Sequence, residues 1–286
     1  MASEFWVVAA MALWAGGLFV SERLWPLRRR ERSLLRRLGV NAGLAASAFA
    51  AVTGIVRPVV DGVLAWTGGS GFGVIAWLGL GGIAELALGF VLMDLSFYYW
   101  HRLNHQVPWL WRFHVVHHVD PDLDVTTALR FHFGEIALSS VFRLAQIGLI
   151  GLSPAAFALY EIAFQAGTLF HHSNVRLPLR LERALNWLLV TPRMHGVHHS
   201  RVRSETHSNY SVVLSVWDRL HGSLWLSTPQ AAIRAGVPAY SWPQDNGLGQ
   251  TLSMPFREQR RDWMSPTGQA MVRREQVAEG PSPMAP

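Results

Sequence analysis

The chain of 286 residues contains no cysteine. That excludes disulfides, thiolate nucleophiles, zinc ribbons and cysteine-ligated iron–sulfur clusters. Any metal must be held by His, Asp or Glu. Lysine is absent too, so all 25 basic residues are arginine. Charge of either sign is scarce, at 15% of residues against about a quarter in an ordinary soluble domain. What fills the space is apolar: half of the residues are hydrophobic, and there are 13 Trp and 25 Gly. Trp favours bilayer interfaces and Gly is common in membrane helices, so the composition describes an integral membrane protein.

The formal net charge is +6, and much of it is local. "SERLWPLRRRERSLLRR" (21–37) holds seven Arg against two Glu. Lying between two apolar segments, it reads as a cytoplasmic loop beside anionic lipid rather than a nucleic-acid patch. The preceding run, 5–20, has its positive charge after it, which is the wrong side for a signal peptide. It is read as a first membrane helix. A second is expected over 38–56, ended by Arg57, Pro58 and Asp61. The glycine-rich 67–73 lacks a preceding strand and a following basic residue, so it is a loop and not a nucleotide cradle. A third helix begins at 74 and is expected to run through His105. Two shorter runs, 135–152 and 155–170, flank Ser153-Pro154, a helix-start signal. Each is near or below the ~20 residues that span hydrocarbon, which predicts a hairpin. The organisation expected is membrane helices over 1–93, a catalytic domain over 94–262 that includes the hairpin, and a disordered tail over 263–286. With 21–37 inside the cell, the N-terminus is outside and every histidine lies toward the cytoplasm.

Histidine is the residue in unusual supply, 13 in all. Eleven fall between 101 and 199. "HRLNH" gives His101 and His105, "HVVHH" gives His114, His117 and His118, "FHHSN" gives His171 and His172, and "HGVHH" gives His195, His198 and His199. On a helix turning about 100° per residue, positions i and i+4 reach one ion. Position i+3 diverges enough from i+4 to serve a second. Two H-x-x-H-H triplets and a pair therefore predict a dinuclear metal site. His207 and His221 stand alone and are taken as structural. Asp94 shares a helical face with Tyr98, His101 and His105. Its carboxylate is expected either to orient a ligand imidazole or to pair with Arg102 or Arg112.

The stretches "DLSFYYWHRLNH", "WRFHVVHH", "TALRFHFGE", "LFHHSN", "TPRMHGVHH" and "SNYSVVLSVWDRLHGS", in that order over 94–225, resemble the fatty acid hydroxylase / sterol desaturase superfamily of integral membrane di-iron enzymes. The resemblance implies metal ligands at His101, His105, His114, His117, His118, His132, His172, His195, His198 and His199. His132 matches a family histidine usually written H-P-x-E, but Phe133 stands here in place of proline. His132 and Glu135 are thus assigned as ligand or supporting carboxylate with a departure from the pattern. His171 ranks below His172. His221 stands where relatives usually show an aromatic residue.

The fold class expected is all-α: a membrane helical bundle carrying a cytoplasmic histidine-rich helical cap. The function implied is that of an O2-dependent di-iron monooxygenase hydroxylating a C–H bond of a lipid drawn from the bilayer, with two Fe ions that Zn can replace in purified protein. Asp94 and Glu135 are its candidate catalytic carboxylates. Desaturation on the same site is the alternative, and a non-redox membrane zinc protein the remote one. The chain has no heme-binding domain and no flavin or nicotinamide fingerprint, so electrons must come from a separate ferredoxin, cytochrome or reductase. Nucleic acid is not a partner. The location implied is the bacterial inner membrane, with the metal site on the cytoplasmic side.

Overall fold

A computed structural model describes residues 2–271. Most of the tail therefore lies outside the described residues. Among those described, every named element is helical, with only four isolated β-bridges.

α1 (Ala2–Leu24) is apolar over 5–20 and ends in the polar run Ser21, Glu22 and Arg23. α2 (Leu34–Ala51) does not end where the sequence predicts. It passes through one π-helical turn, Val52–Val56, directly into α3 (Arg57–Ser70). The reason is local. Pro58 falls in the first turn of α3, where its missing N–H costs little, and the wide turn before it absorbs the register break. Arg57 and Asp61 do not break the helix either; they sit on its exposed face at i, i+4, 4.0 Å apart. Gly71, at φ 63°, ends α3 in the left-handed region. Short α4 (Val74–Trp77) leads to α5 (Gly82–Gln106), which carries Asp94, His101 and His105. α6 (Pro108–His118) turns back at once, and a 3-10 turn (Val125–Leu129) follows. α7 (Phe133–Ile150) and α8 (Pro154–His172) follow one another through the short turn 151–153. Ser153 caps α8 by accepting from Ala156 N–H at 3.2 Å.

Among the described residues, four segments are long and apolar enough to cross a membrane: Phe5–Leu24, Arg57–Trp77, Gly82–Gln106 and Phe133–Ile150. The protein is a helical membrane protein. α5 packs on α8 through edge-to-face pairs, Phe97–Phe164 at 4.7 Å and Phe90–Tyr160 at 5.5 Å. At one end, the α3–α4 and α7–α8 turns meet backbone to backbone. A Cβ on Gly73 would lie 2.5 Å from the Gly151 Cα, so the contact needs glycine.

The opposite end carries the histidines. The C-termini of α1, α5 and α8 and the N-termini of α2 and α7 gather there. Over them lies a cap of short helices: α9 (Leu179–Asn186), α10 (Pro192–His198), α11 (Arg203–Thr206), α12 (Val216–Leu220) and α13 (Leu248–Ser253). The arginine-rich loop is partly structural rather than wholly a lipid-facing surface. Arg37 is buried, with Nη2 2.8 Å from Asp120 and Nη1 2.6 Å from Asp124, which ties α2 to the turn after α6. Arg28 reaches α10, donating to Pro192 O at 3.2 Å and Gln230 Oε1 at 2.7 Å. Arg29 and Arg30 are exposed.

Candidate metal centre

Two clusters of imidazoles occupy the junction of bundle and cap. His101, His105, His114, His118 and His198 form one, and His117, His172, His195 and His199 form the other. In each, the candidate ligand atoms all lie within 4.8 Å of one another, and all nine residues are buried. The split follows helical spacing. The i, i+4 pairs His101/His105, His114/His118 and His195/His199 each stay within one cluster. The i+3 members, His117 and His198, cross to the other.

Hydrogen bonding fixes what these rings present. His101 Nδ1–H donates to Tyr210 O at 2.8 Å and His198 Nδ1–H to Ser208 O at 2.7 Å. A carbonyl only accepts, so both protons sit on Nδ1 and both Nε2 atoms carry a bare lone pair. Those two lone pairs face each other at 3.1 Å. The second cluster repeats this. His117 Nδ1–H donates to Arg130 O at 3.2 Å, His172 Nδ1–H to Thr168 O at 2.8 Å, and their Nε2 atoms stand 3.0 Å apart. His195 Nε2 is 3.0 Å from His172 Nε2 and 3.1 Å from His199 Nε2.

Facing lone pairs repel unless a proton or a cation lies between them. Protonation is disfavoured: burial, followed by the neighbouring imidazoles, holds His117, His118, His195 and His199 well below the usual histidine range, and His198 likewise. A metal ion fits. With metal–imidazole bonds of about 2.1 Å, ligands at right angles stand about 3.0 Å apart. Neither ring nitrogen of His105 has a hydrogen-bond partner, nor does Nδ1 of His195 or His199. Such orphaned buried nitrogens are costly in an empty site.

Glu135 lies where a supporting carboxylate should be. Its Oε1 accepts from His114 Nδ1–H at 2.6 Å, which orients the ring and strengthens it as a donor to metal. Asp94 does neither of the things expected of it. Its carboxylate accepts from Leu214 N–H at 2.9 Å, Trp217 Nε1–H at 2.8 Å and Tyr160 O–H at 3.4 Å, joining α5 to α8 and the cap. His132 stands outside both clusters. Its Nδ1 accepts from Gly134 N–H and its Nε2–H donates to Leu252 O, so it caps α7 with both nitrogens engaged. His171 also lies outside, with its ring 4.1 Å from that of His195. His221 stacks on Tyr98 at 4.7 Å.

Sequence reasoning missed the carbonyls that set the tautomers. Ser208 O and Tyr210 O are aimed by a clamp: Asp218 accepts from Tyr210 N–H at 2.9 Å and Ser211 N–H at 2.8 Å. Between them Asn209, at φ 55°, adopts the left-handed turn that Asn tolerates. The signal was present in "SNYSVVLSVWD", which carries no metal ligand of its own. Also missed was Trp111, whose ring lies 5.0 Å from His105 and 5.4 Å from His118.

Residues 86–223 match the family described as fatty acid hydroxylase. The chain is 28% identical over 195 residues to an ornithine lipid hydroxylase of Rhizobium tropici, covering 68% of this chain and 57% of that one. It is 33% identical over 136 residues to an alkylglycerol monooxygenase of Xenopus tropicalis, covering 48% and 29%. It is 28% identical over 137 residues to a human cholesterol 25-hydroxylase, covering 47% and 48%. The chain thus spans less than two thirds of the length of each of these relatives. No solved structure matches it. All nine clustered histidines fall within residues 86–223, the part of the chain that is similar to the fatty acid hydroxylase family.

Proposed function

We propose that the protein is a membrane-bound, O2-dependent di-iron monooxygenase that hydroxylates a C–H bond of a membrane lipid. One observation carries the reading: two adjacent buried clusters, in each of which a pair of imidazoles with Nδ1–H held on a carbonyl turns bare Nε2 lone pairs on one another, His101 and His198 at 3.1 Å and His117 and His172 at 3.0 Å. His101, His105, His114, His118 and His198 would hold one iron, and His117, His172, His195 and His199 the other. Imidazole suits several metals; the likeness to the fatty acid hydroxylase family supports iron. An iron pair held there would supply the chemistry for O2 activation and attack on an unactivated C–H bond.

The protein's own groups do the rest. Glu135 and the carbonyls of Arg130, Thr168, Ser208 and Tyr210 hold the ring protons on Nδ1, so every Nε2 so fixed stays available. Phe131 stacks on His117 at 4.5 Å, and the Tyr210 ring lies 5.4 Å from His105; these rings exclude water from the clusters. The site lies at the ends of the apolar helices, so a lipid reaches it from the bilayer without crossing water. The relatives are named for an ornithine lipid, alkylglycerols and cholesterol, which supports lipid as the substrate class. The positive charge of 21–37 favours the cytoplasmic face of a bacterial inner membrane for the metal end. Each turnover needs two electrons, which a separate donor provides.

The test is product analysis under isotopically labelled O2, with iron-loaded protein in lipid and an added reductant. One labelled oxygen in a lipid supports hydroxylation. Loss of two hydrogens without label would make it a desaturase, and oxygen-independent turnover would defeat the oxygenase reading.

A further inference from the structure

The five-histidine cluster comes close to the water-side surface at one place. A cavity of about 660 Å³, lined by His105, Gln106, Arg203, His207 and Met271 among others, opens there. Beside it lies a run of aromatic rings. Trp263 is half-buried and stacks on Trp111, with ring centroids 6.0 Å apart and planes 29° from parallel. Trp111 is buried, and its ring lies 5.4 Å from that of His118. His118 in turn stacks on His199 of the four-histidine cluster, at 4.4 Å and 16°. Three ring-to-ring steps therefore join the surface to both clusters. Trp111 is also fixed in place, donating Nε1–H to Asp262 Oδ2 at 2.9 Å.

The surface around Trp263 is basic. Arg203, Arg257 and Arg261 are exposed, with Glu258 as the nearby exposed acid. Arg112 anchors the rim by donating to Arg257 O at 3.4 Å. A basic rim around a ring that leads inward suits a partner with an acidic face.

We propose that Trp263 and Trp111 form the electron relay of this protein, and that an acidic one-electron carrier of the iron–sulfur or haem class docks on the arginine rim above Trp263. The proposal rests on the oxygenase reading and adds to it where electrons come in and what surface delivers them. Two carriers are each oxidised by one electron. With two protons from solvent, those two electrons and one O2 convert a C–H bond to C–OH and release one water. Transfer falls off steeply with the gap to be crossed, and the rings divide the path into steps of 6.0, 5.4 and 4.4 Å between centroids. His207, whose ring is 5.5 Å from Trp263 and 5.7 Å from His105, lies beside this line rather than on it.

The experiment uses the full iron-loaded chain in lipid and, as probe, a reduced plant-type [2Fe–2S] ferredoxin, whose oxidation is followed by visible absorbance in a stopped-flow instrument. Trp263→Leu should slow ferredoxin oxidation by an order of magnitude. Reduction by dithionite, small enough to use the open cavity, should keep its rate. Trp263→Tyr, which restores a ring, should recover most of the transfer rate. Arg203→Glu combined with Arg261→Glu should weaken ferredoxin binding by about tenfold and flatten its dependence on salt. Unchanged ferredoxin oxidation in Trp263→Leu overturns the relay. So does equal slowing with ferredoxin and dithionite, which marks a structural role. If dithionite-reduced wild-type protein exposed to O2 makes labelled lipid yet the protein ignores ferredoxin, the docking proposal fails and the oxygenase reading stands. If no labelled lipid forms with either reductant, the oxygenase reading itself fails.

Discussion

Glu135→Gln isolates one link in the metal centre. The wild-type carboxylate is 2.6 Å from His114 Nδ1, and the two side chains are 6% and 4% exposed. Glutamine keeps the shape and an acceptor oxygen but removes the charge. A hydrogen bond to a charged group contributes about 1.5–3 kcal/mol, a neutral one about 0.5–1.5. The loss is therefore about 1–1.5 kcal/mol of support for His114 as a ligand, or roughly tenfold in affinity. Glu135→Ala removes the acceptor as well and leaves Nδ1–H buried without a partner, which takes the loss toward a hundredfold. Only the cluster containing His114 should suffer. Metal-free protein titrated with Zn²⁺ against a chromophoric chelator should show two binding steps. In Glu135→Gln one step weakens and the other, belonging to His117, His172, His195 and His199, holds. Two unchanged steps, or two steps weakened equally, would refute the assignment of Glu135 to one cluster.

Four further outcomes are expected. Metal-free protein should lose thermal stability as pH falls below the ordinary histidine value of 6.5, because His117, His118, His195, His198 and His199 stay neutral when folded and take up protons on unfolding; melting curves across pH should show bound metal moving that loss to lower pH. Burial pushes the Asp262 carboxyl up to about 6 from 3.8, so its cost to stability is present above pH 6 and vanishes below 3.8; Asp262→Asn should melt higher than wild type at pH 7.5, with the gap closing near pH 4. A Cβ on Gly196 would collide with Arg28 Nη1 and lie 2.9 Å from its Cζ, so Gly196→Ala should expel the guanidinium and weaken the four-histidine cluster, and Arg28→Ala should relieve part of that defect in a double-variant titration. His132→Ala should lower the melting temperature through the lost α7 cap by about 1 kcal/mol of stability yet leave two metal ions bound by elemental analysis, whereas His172→Ala should leave one.

The clusters were legible because helical spacing is a local property. Two H-x-x-H-H runs and an H-x-x-x-H declare their geometry without any tertiary contact, and the i+3 members crossed between clusters as the turn angle requires. The start of α8 was legible from Ser153-Pro154 for the same reason. What escaped is long-range or backbone-borne. Asp94 finds its partners some 120 residues away, and a helical-wheel argument sees only its own helix. The acceptors for His101 and His198 are main-chain carbonyls, which every residue type offers. Pro58 reads as a stop in sequence, but the π-turn that accommodates it is a cooperative property of α2 and α3 together.

The division of the ligands along the chain has a consequence for biosynthesis. As the polypeptide emerges, His101, His105, His114 and His118 are complete four-fifths of one cluster before α7 is made. The other cluster then has only His117, gains His172 at the end of α8, and waits for His195 and His199. On the proposed ligand assignment, neither cluster can close before α10 is made: the five-histidine cluster is founded early, and α10 completes both in a single late step by delivering His195, His198 and His199 together.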